Sequence, residues 1–364
     1  MLEIGSFIEG REGERNKDFS LMQIVKSEVG DQRIHFLCSG REAISAAIED
    51  IEMRNKNLKQ KCLLPLYICD SVISPFVKYG WDLCFYPVET NFEINLEVLS
   101  KIVENEKPTV LLVQALYGTE ISLETKKNLK NYRLEKGIII IEDLTQTLTS
   151  VRQTLWCDYR IASLRKWFAI PDGGFIIADH SLKIKVNREK YEYVRLKREA
   201  LELKALYLKD NTLIDKKIFL QKNNFAEEYL YQHMEICKMS KYSLREIEEI
   251  NAEYVLKKRN ENAKFLLESL KGVDCVRLIE RNISAPLYFP IFVNDRKELQ
   301  TYLIKNGIYT SILWSIPQRV CTLLNESTLY IYRHLLCIPC DQRYGKEDMK
   351  KIVYYIEQYG GTIN

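Results

Sequence analysis

Short apolar segments alternate with longer amphipathic ones from residue 34 to residue 143. The apolar segments fall at 34–38, 61–65, 82–88, 109–116 and 137–143. The stretches between the apolar segments have helical spacing, at 42–55, 70–79, 96–104 and 123–135. This alternation predicts a βαβ series, and the nearly all-apolar segment 109–116 is typical of a strand that is buried on both faces of a parallel sheet.

The pattern changes twice after this series. An apolar strand is expected at 175–178, and residues 181–270 are charged and rich in Leu and Tyr, which predicts helices whose exposed faces carry matched lysines and glutamates. From residue 273 an α+β pattern returns, with strands expected at 285–293, 308–314 and 336–339 and helices at 296–306 and 346–359, the last ended by glycines. We therefore predict a large domain over 1–245 and a smaller α+β domain over 246–364. Residues 1–33 read as an irregular lead-in that packs on the smaller domain.

A serine and a glycine stand between the first strand of the series and its helix. Ser39 is a good helix N-cap, and Glu42, three residues later, completes a capping-box pattern. Gly40 lets the backbone approach an anion closely, so Ser39-Gly40-Arg41 could form a phosphate cradle at a helix N-terminus. A plain helix cap explains the same residues equally well.

One lysine lies in an apolar or small setting between residues 158 and 175. Lys166 follows Ser163 and precedes two aromatic residues and Gly173-Gly174. Burial would disfavour its ammonium form and make the amine a usable Schiff-base nucleophile. A lysine at a strand end that reaches solvent is the alternative reading.

Asp143 ends the strongest predicted strand, so its carboxylate should emerge at the mouth of a buried sheet. Ligands in such sheets bind at the carboxyl ends of strands, where Tyr67, Tyr117 and Gln146 are also expected. Between Asp143 and Lys166 the sequence predicts an edge strand at 159–163. An anion cradle, a carboxylate and a lysine in this order along the chain suit pyridoxal phosphate (PLP), which needs all three.

Composition narrows the class of protein. The chain has 364 residues with 53 basic and 50 acidic side chains, a net charge of +3 that gives no argument for a nucleic-acid or membrane partner. No apolar run is long enough for a transmembrane helix, and the N-terminus does not resemble a signal peptide. The ten scattered cysteines are typical of a reducing cytosol, so we expect a cytoplasmic protein. Cys337 and Cys340 form a lone CxxC pair, and no metal site is predicted.

Seven motifs together resemble the DegT/DnrJ/EryC1/StrS family of PLP-dependent sugar aminotransferases, and they occur in family order over most of the chain. They are SGREAI (39–44), LPLYICDSVISPFVKYGWDLCFYPV (64–88), ALYG (115–118), IIEDLTQT (140–147), SLRKWFAIPDGGFI (163–176), GIYTSILW (307–314) and IPCDQRYGKEDM (338–349). The resemblance implies an α/β protein of PLP fold type I, with a mostly parallel seven-stranded sheet between helices. It also implies a homodimer with active sites at the subunit interface.

The same resemblance implies roles for individual residues. Lys166 would bind the PLP aldehyde and move the substrate proton, Asp143 would pair with the pyridinium nitrogen, and Gln146 would lie beside the ring hydroxyl. The phosphate would be held by residues Ser39, Gly40, Arg41 and Ser163. Tyr117, Trp314 and Arg319 are weaker candidates for substrate binding, with core or surface positions as the alternative.

The chain also departs from the family pattern. Cys69 stands where most members have an aromatic residue that stacks on the PLP ring, and Tyr67, two residues away, could supply that ring instead. Arg41 stands where the family often has threonine. No motif places the asparagine that family dimers lend across the interface.

Three functions are compatible with the sequence. The first is transamination of a nucleotide-linked keto-sugar with an amino acid donor such as glutamate. The second is another PLP reaction, such as elimination or dehydration, although family dehydratases have histidine in place of the lysine that is retained here as Lys166. The third is a non-catalytic PLP-fold protein.

Overall fold

The computed structural model describes residues 3–9, 15–29 and 33–363. Its strands are β1 (Ile4–Gly5), β2 (Ile34–Leu37), β3 (Lys61–Pro65), β4 (Asp82–Tyr86), β5 (Val110–Gln114), β6 (Ile139–Asp143), β7 (Tyr159–Ser163), β8 (Gly174–Ala178), β9 (Arg277–Leu278), β10 (Phe289–Phe292), β11 (Ile308–Tyr309) and β12 (Leu335–Ile338). Its α-helices are α1 (Leu21–Val29), α2 (Gly40–Arg54), α3 (Asp70–Lys78), α4 (Leu96–Glu106), α5 (Leu123–Lys136), α6 (Tyr191–Lys209), α7 (Lys216–Gln232), α8 (Lys241–Glu249), α9 (Ala252–Ser269), α10 (Arg296–Lys305), α11 (Glu326–His334) and α12 (Lys346–Ile363).

A seven-stranded sheet in the order β2-β8-β7-β6-β5-β3-β4 organises the chain. The β7–β6, β6–β5, β5–β3 and β3–β4 pairs are parallel, and β8 runs antiparallel to both of its neighbours. The predicted α/β class and mostly parallel sheet are therefore confirmed. The prediction of an edge strand at 159–163 was wrong, because β8 returns between β2 and β7 and pairs with both of them.

Both faces of the sheet are covered by apolar side chains. In β6, Ile140 packs in one core cluster and Ile141 in another, and both are fully buried. Leu111 and Leu112 of β5 divide in the same way. Successive side chains of a strand point to opposite faces, so a strand that is covered on both sides reads as an unbroken apolar run.

The C-terminal part contains a smaller antiparallel sheet in the order β12-β10-β9. Separately, β1 pairs in parallel with β11, with Ile4 opposite Ile308, so residues 4–5 lie against this part of the chain. The strands there are shorter than expected, since only Phe289–Phe292 of the apolar stretch 285–293 pairs with β12, and only its Ile291 and Phe292 also pair with β9. Division of the chain at residue 245 stays a prediction.

Two expectations about the ends of the chain need correction. The lead-in 1–33 is not wholly irregular, because α1 forms there and its buried Leu21 and Met22 join the main core cluster. The remaining lead-in residues 1–2, 10–14 and 30–32 lie outside the described residues. The closing helix does not end at Gly360, since α12 continues to Ile363. Ile356 and Tyr359 are buried in the core and hold the end of this helix against it.

Helices α6 and α7 pack against each other as a hairpin beside the N-terminus of α2. This hairpin supplies one wall of the site described below. None of the helices in the described ranges is long and apolar enough to span a lipid bilayer.

Candidate active site

A pocket opens at the carboxyl ends of the parallel strands. It encloses about 570 Å³ of space, part of it open to solvent. Its lining includes most of the site residues predicted from the sequence, namely Ser39, Gly40, Arg41, Cys69, Asp143, Gln146, Ser163, Lys166 and Trp314. Residues that lie up to 275 positions apart in the chain therefore meet at one edge of the sheet, as strand-end ligand sites require.

The N-terminus of α2 forms one end of the pocket. The Ser39 Oγ accepts a hydrogen bond from the Glu42 N–H at 3.3 Å, which confirms the predicted N-cap. The reciprocal half of the capping box is absent, because the Glu42 carboxylate instead accepts from the Cys237 N–H at 3.0 Å and pairs with Lys190 at 3.1 Å. The N–H groups of Gly40 and Arg41 have no partner in the described part of the chain. Together with the helix dipole, these free donors favour an anion at this end.

Glycines allow α2 to approach the sheet closely. Leu37, Gly174 and Ser163 lie side by side across β2, β8 and β7. A Cβ on Gly174 would stand 2.5 Å from the Ser39 carbonyl carbon, and one on Gly40 would stand 3.0 Å from the Ser163 Cβ. The Ser163 side chain lines the pocket at 5% exposure, and its hydroxyl has no hydrogen-bond partner among the described residues. A third potential donor therefore adjoins the two free N–H groups at the N-terminus of α2.

Asp143 is fixed from two sides. Its Oδ1 accepts from the Thr145 N–H at 2.8 Å, and its Oδ2 accepts from the Gln114 amide at 3.3 Å. Gln114 is also the ladder partner of Asp143 in β5. The carboxylate is almost fully buried yet lines the pocket, so it is held ready for a group that donates a hydrogen bond.

Lys166 ends a single 3₁₀ turn that follows β7. The Leu164 and Arg165 N–H groups both donate to the Gly173 carbonyl oxygen. Trp167 is fully buried, and its Nε1 donates to the Thr145 carbonyl oxygen at 2.7 Å. These contacts fix the backbone on both sides of Lys166, while its ammonium has no ion pair in the described ranges. Lys166 also lines a second cavity, so it lies between two spaces.

Positive charge is concentrated at the α2 end of the pocket. Arg165 pairs with both oxygens of Glu227 at 2.7 and 3.0 Å, and Lys197 contacts the same carboxylate at 2.6 Å. Burial of Glu227 would raise its pKa, but Arg165 and Lys197 outweigh burial and lower the pKa to about 2. Burial and then the nearby Arg165 lower the pKa of Arg41 from its usual value.

Several predicted residues lie elsewhere. The Tyr67 ring is in the core against Trp314 and Tyr332, and its hydroxyl is 2.6 Å from that of Tyr117. Neither tyrosine lines the pocket, so the structure does not place Tyr67 where a ring could stack on a cofactor. The smaller Cys69 side chain does line the pocket, and its Sγ accepts from the Ser71 hydroxyl at 3.1 Å. Arg319 is exposed and is not part of the pocket lining.

Three polar residues of the site were missed. Gln114 is the one polar side chain at the end of an apolar strand, and Thr145 lies between two predicted ligands. Both positions could have been noticed from the sequence. Arg165 gave no signal, because its role depends on Glu227 in α7, 62 positions away.

The cysteine pair Cys337 and Cys340 lies in the core. The two side chains are 1% and 0% exposed, and all ten cysteines of the chain are free thiols. The described residues contain no group of three His, Cys, Asp or Glu side chains that could hold a metal ion.

The pocket fits PLP in its donor set. Free N–H groups, the Ser163 hydroxyl and Arg41 suit a phosphate, and a buried carboxylate suits a protonated ring nitrogen. The Gln146 Oε1 accepts from the Tyr117 N–H at 3.2 Å, which leaves its NH₂ group for a ring oxygen. Lys166 supplies the amine.

Comparison with known proteins agrees on the fold. No protein-family model and no curated protein matches the sequence. Among solved structures, the sugar aminotransferase CalS13 from Micromonospora echinospora superposes with a TM-score of 0.64 at 13% identity, over 98% of this chain and 100% of that one. PseC from Helicobacter pylori, an aminotransferase involved in the biosynthesis of pseudoaminic acid, superposes with a TM-score of 0.65 at 12% identity, over 99% of this chain and 100% of that one. DesV of S. venezuelae, solved in complex with a ketimine intermediate, superposes with a TM-score of 0.65 at 14% identity, over 96% of this chain and 91% of that one.

The architecture is therefore that of the fold type I aminotransferases. More narrowly, it is the fold of the DegT/DnrJ/EryC1/StrS aminotransferases, one of which, from Brucella abortus, matches with a TM-score of 0.61 at 15% identity over 93% of this chain and 88% of that one. The resemblance expected from the sequence motifs is confirmed at the level of the fold.

Proposed function

We propose that this protein is a PLP-dependent aminotransferase that converts a keto-sugar, carried on a nucleotide, into an amino sugar. One observation carries the proposal: Lys166, Asp143 and the N-terminus of α2 meet in a single pocket at the carboxyl ends of the sheet. When bound, PLP would supply an electron sink for the carbon that exchanges its amino group. The residues described next would bind it and move protons.

Lys166 would bind the cofactor through its amine and then act as general acid and base. Its backbone is fixed by the 3₁₀ turn and by the buried Trp167, so the long side chain is the mobile part. Since Lys166 borders both cavities, its Nζ could take a proton from a substrate carbon on one side and return it to the cofactor side.

Asp143 would keep a proton on the cofactor ring nitrogen. The hydrogen bonds from Thr145 and Gln114 orient the carboxylate, and a carboxylate acceptor pairs strongly with a protonated nitrogen. The Gln146 amide would donate to the ring oxygen.

The second cavity would hold the part of the substrate beyond the reacting carbon. Aromatic and polar groups from Phe7, Tyr288, Asn223 and Asp341 line it, a mixture that suits a sugar. The solved structures with this fold include sugar aminotransferases, which supports a keto-sugar as the acceptor. Glutamate as the amino donor and a homodimeric assembly follow from the same analogy.

An absorption spectrum tests this function. Purified protein with added PLP should show a visible band that borohydride removes, and excess glutamate should convert that band to the amine form of the cofactor. A band that no amino acid changes would indicate different PLP chemistry. Absence of any band would indicate a non-catalytic protein and would overturn the proposal.

A further inference from the structure

We propose that the side chain of Arg41 binds the cofactor phosphate and that α7 of the same chain, not a partner subunit, holds it there. This inference rests on the proposed function, because it assigns the phosphate-binding group of that same pocket. Arg41 stands at a position where the family often has threonine, so the chain departs from the family pattern there. Family dimers also lend an asparagine across the interface, and no motif of this chain places that residue.

The guanidinium of Arg41 makes few contacts in the described part of the chain. One guanidinium nitrogen donates to the Leu230 carbonyl oxygen at 3.1 Å, and the guanidinium carbon lies 5.3 Å from the centre of the Tyr231 ring. Its Nε is buried without a hydrogen-bond partner, and no carboxylate pairs with it in the described part of the chain. A half-buried guanidinium in this state has donors and charge to offer to an anion.

The surroundings carry surplus positive charge. The Glu227 carboxylate of α7 is already shared by Arg165 and Lys197. Four cations thus face two carboxylates around the pocket, a surplus that matches the nearly two negative charges of a phosphate ester. The cations are Arg41, Arg165, Lys166 and Lys197, and the carboxylates are Asp143 and Glu227.

Three further donors place the anion beside the Arg41 guanidinium. Arg41 is the second residue of α2, and the N–H groups of Gly40 and Arg41 point along the positive end of the helix dipole. The Ser163 hydroxyl, on a side chain that is 5% exposed, borders the pocket without a partner among the described residues. These groups and the guanidinium together form a site for a tetrahedral anion.

Helix α7 of the same chain closes this site. It supplies Leu230 and Tyr231, the two residues that contact Arg41. It is held in place by Glu227, which accepts two bonds from Arg165, and by Asn223, which accepts from Lys197 at 2.5 Å. Arg41 therefore takes its position from contacts within one chain, with α7 holding its guanidinium at the phosphate end.

Two anions could occupy the site, the cofactor phosphate or a charged group of the substrate. Titration with PLP and with pyridoxal, which lacks the phosphate, separates them. We expect Arg41→Gln to weaken PLP binding by about 10- to 100-fold, the value of a charge-assisted contact, and to leave pyridoxal binding within about twofold of wild type. The PLP affinity of Arg41→Lys should lie between those of wild type and Arg41→Gln, because lysine keeps the positive charge but lacks the planar guanidinium that reaches Leu230.

Arg195→Gln is the matched control. Arg195 is an exposed arginine of α6 that pairs with surface glutamates, so its loss should leave both affinities unchanged. The ratio of PLP to pyridoxal affinity is insensitive to general loss of stability, since both ligands need the same fold. A ratio in Arg41→Gln equal to wild type overturns the inference while the proposed function stands. Failure of wild-type protein to bind PLP overturns both.

Co-expression of Arg41→Gln with Lys166→Ala tests the same-chain part. If Arg41 acted across an interface, mixed dimers would combine an intact Lys166 from one chain with an intact Arg41 from the other. A fraction of sites would then regain tight, borohydride-sensitive PLP binding, and that result would overturn the inference. We expect no tight fraction beyond that of Arg41→Gln alone.

Discussion

Gln114 and Asp143 are ladder partners at the ends of two adjacent parallel strands, and the Gln114 amide donates to the Asp143 carboxylate at 3.3 Å. The sheet therefore positions a buried carboxylate through the strand beside it, and no cation of the described residues pairs with that carboxylate. A carboxylate that is held by neutral donors is left to pair with a ligand, which is what a cofactor ring with a protonated nitrogen requires.

The role of Asp143 is tested by Asp143→Asn. The substitution keeps the size of the side chain but removes the negative charge, so the cofactor should still bind while its ring nitrogen loses its proton. We expect transamination to fall by about 10³-fold or more. Stopped-flow absorbance of the glutamate half-reaction measures the loss, and near wild-type turnover would rule Asp143 out as the ring partner.

The role of Lys166 is tested by Lys166→Ala. The change removes the only amine that borders both cavities among those residues that the structure describes, so the visible band of the lysine-bound cofactor should disappear. Thermal stability should change little, because the Lys166 ammonium makes no ion pair in the described ranges. Lys238→Ala, at a partly exposed lysine outside the pocket, is the control. A variant at 166 that keeps the band would contradict the assignment.

Close contact between α2 and the sheet is tested by Gly174→Ala. Its new Cβ would lie 2.5 Å from the Ser39 carbonyl carbon, so α2 must shift. We expect a loss of about 1–3 kcal/mol in the free energy of unfolding, with weaker PLP binding because the Gly40 and Arg41 N–H groups move. Gly345→Ala, where a Cβ meets nothing within 4 Å, should cost less than about 1 kcal/mol. Equal effects from both substitutions in urea unfolding would contradict the packing argument.

Tyr67 is expected to stabilise the core without contacting the cofactor. Tyr67→Phe removes one partner of the buried hydroxyl pair with Tyr117 and should cost about 1–2 kcal/mol in unfolding free energy. The PLP dissociation constant should stay within about twofold of wild type, since the ring lies outside the pocket. Tyr354→Phe, at a ring that is 54% exposed, should change neither quantity. A large loss of PLP affinity in Tyr67→Phe would contradict this prediction and indicate that Tyr67 belongs to the cofactor site.

Attachment of α7 should depend on pH through Glu227. Its folded-state pKa of about 2 lies below its usual value, because Arg165 and Lys197 outweigh the opposing effect of burial. The stability that Glu227 contributes is then present above about pH 4.5 and is lost as pH falls through about 2. Glu227→Gln should therefore be less stable than wild type at pH 7, and the gap should narrow at pH 4 and again at pH 3. Urea unfolding at pH 7, 4 and 3 measures this difference in stability. Glu135→Gln, at an exposed position of α5, is the control. A difference between Glu227→Gln and wild type that does not change with pH would contradict the prediction.

The sequence alone was sufficient for the succession of strands and helices along the chain from β2 to β6, and for placing Asp143 at the end of a strand and Lys166 after the next one. Apolar runs, N-caps such as Ser39 and strand-end polar residues are local signals, and a parallel sheet brings the ends of its strands together whatever the loops do. It also led to the fold family, through motifs that follow one another along the chain.

The tertiary structure decided which side chains face the pocket. The backbone path of residues 66–69 after β3 decides whether Tyr67 or Cys69 lines the pocket. Because the Tyr67 hydroxyl pairs with that of Tyr117 in the core, Cys69 is the residue that lines the pocket. The partner of Arg41 is a carbonyl 189 positions away, and the insertion of β8 beside β7 depends on pairing across separated strands. Contacts of this kind depend on the register and packing of distant segments, so local patterns in the sequence contain no information about them.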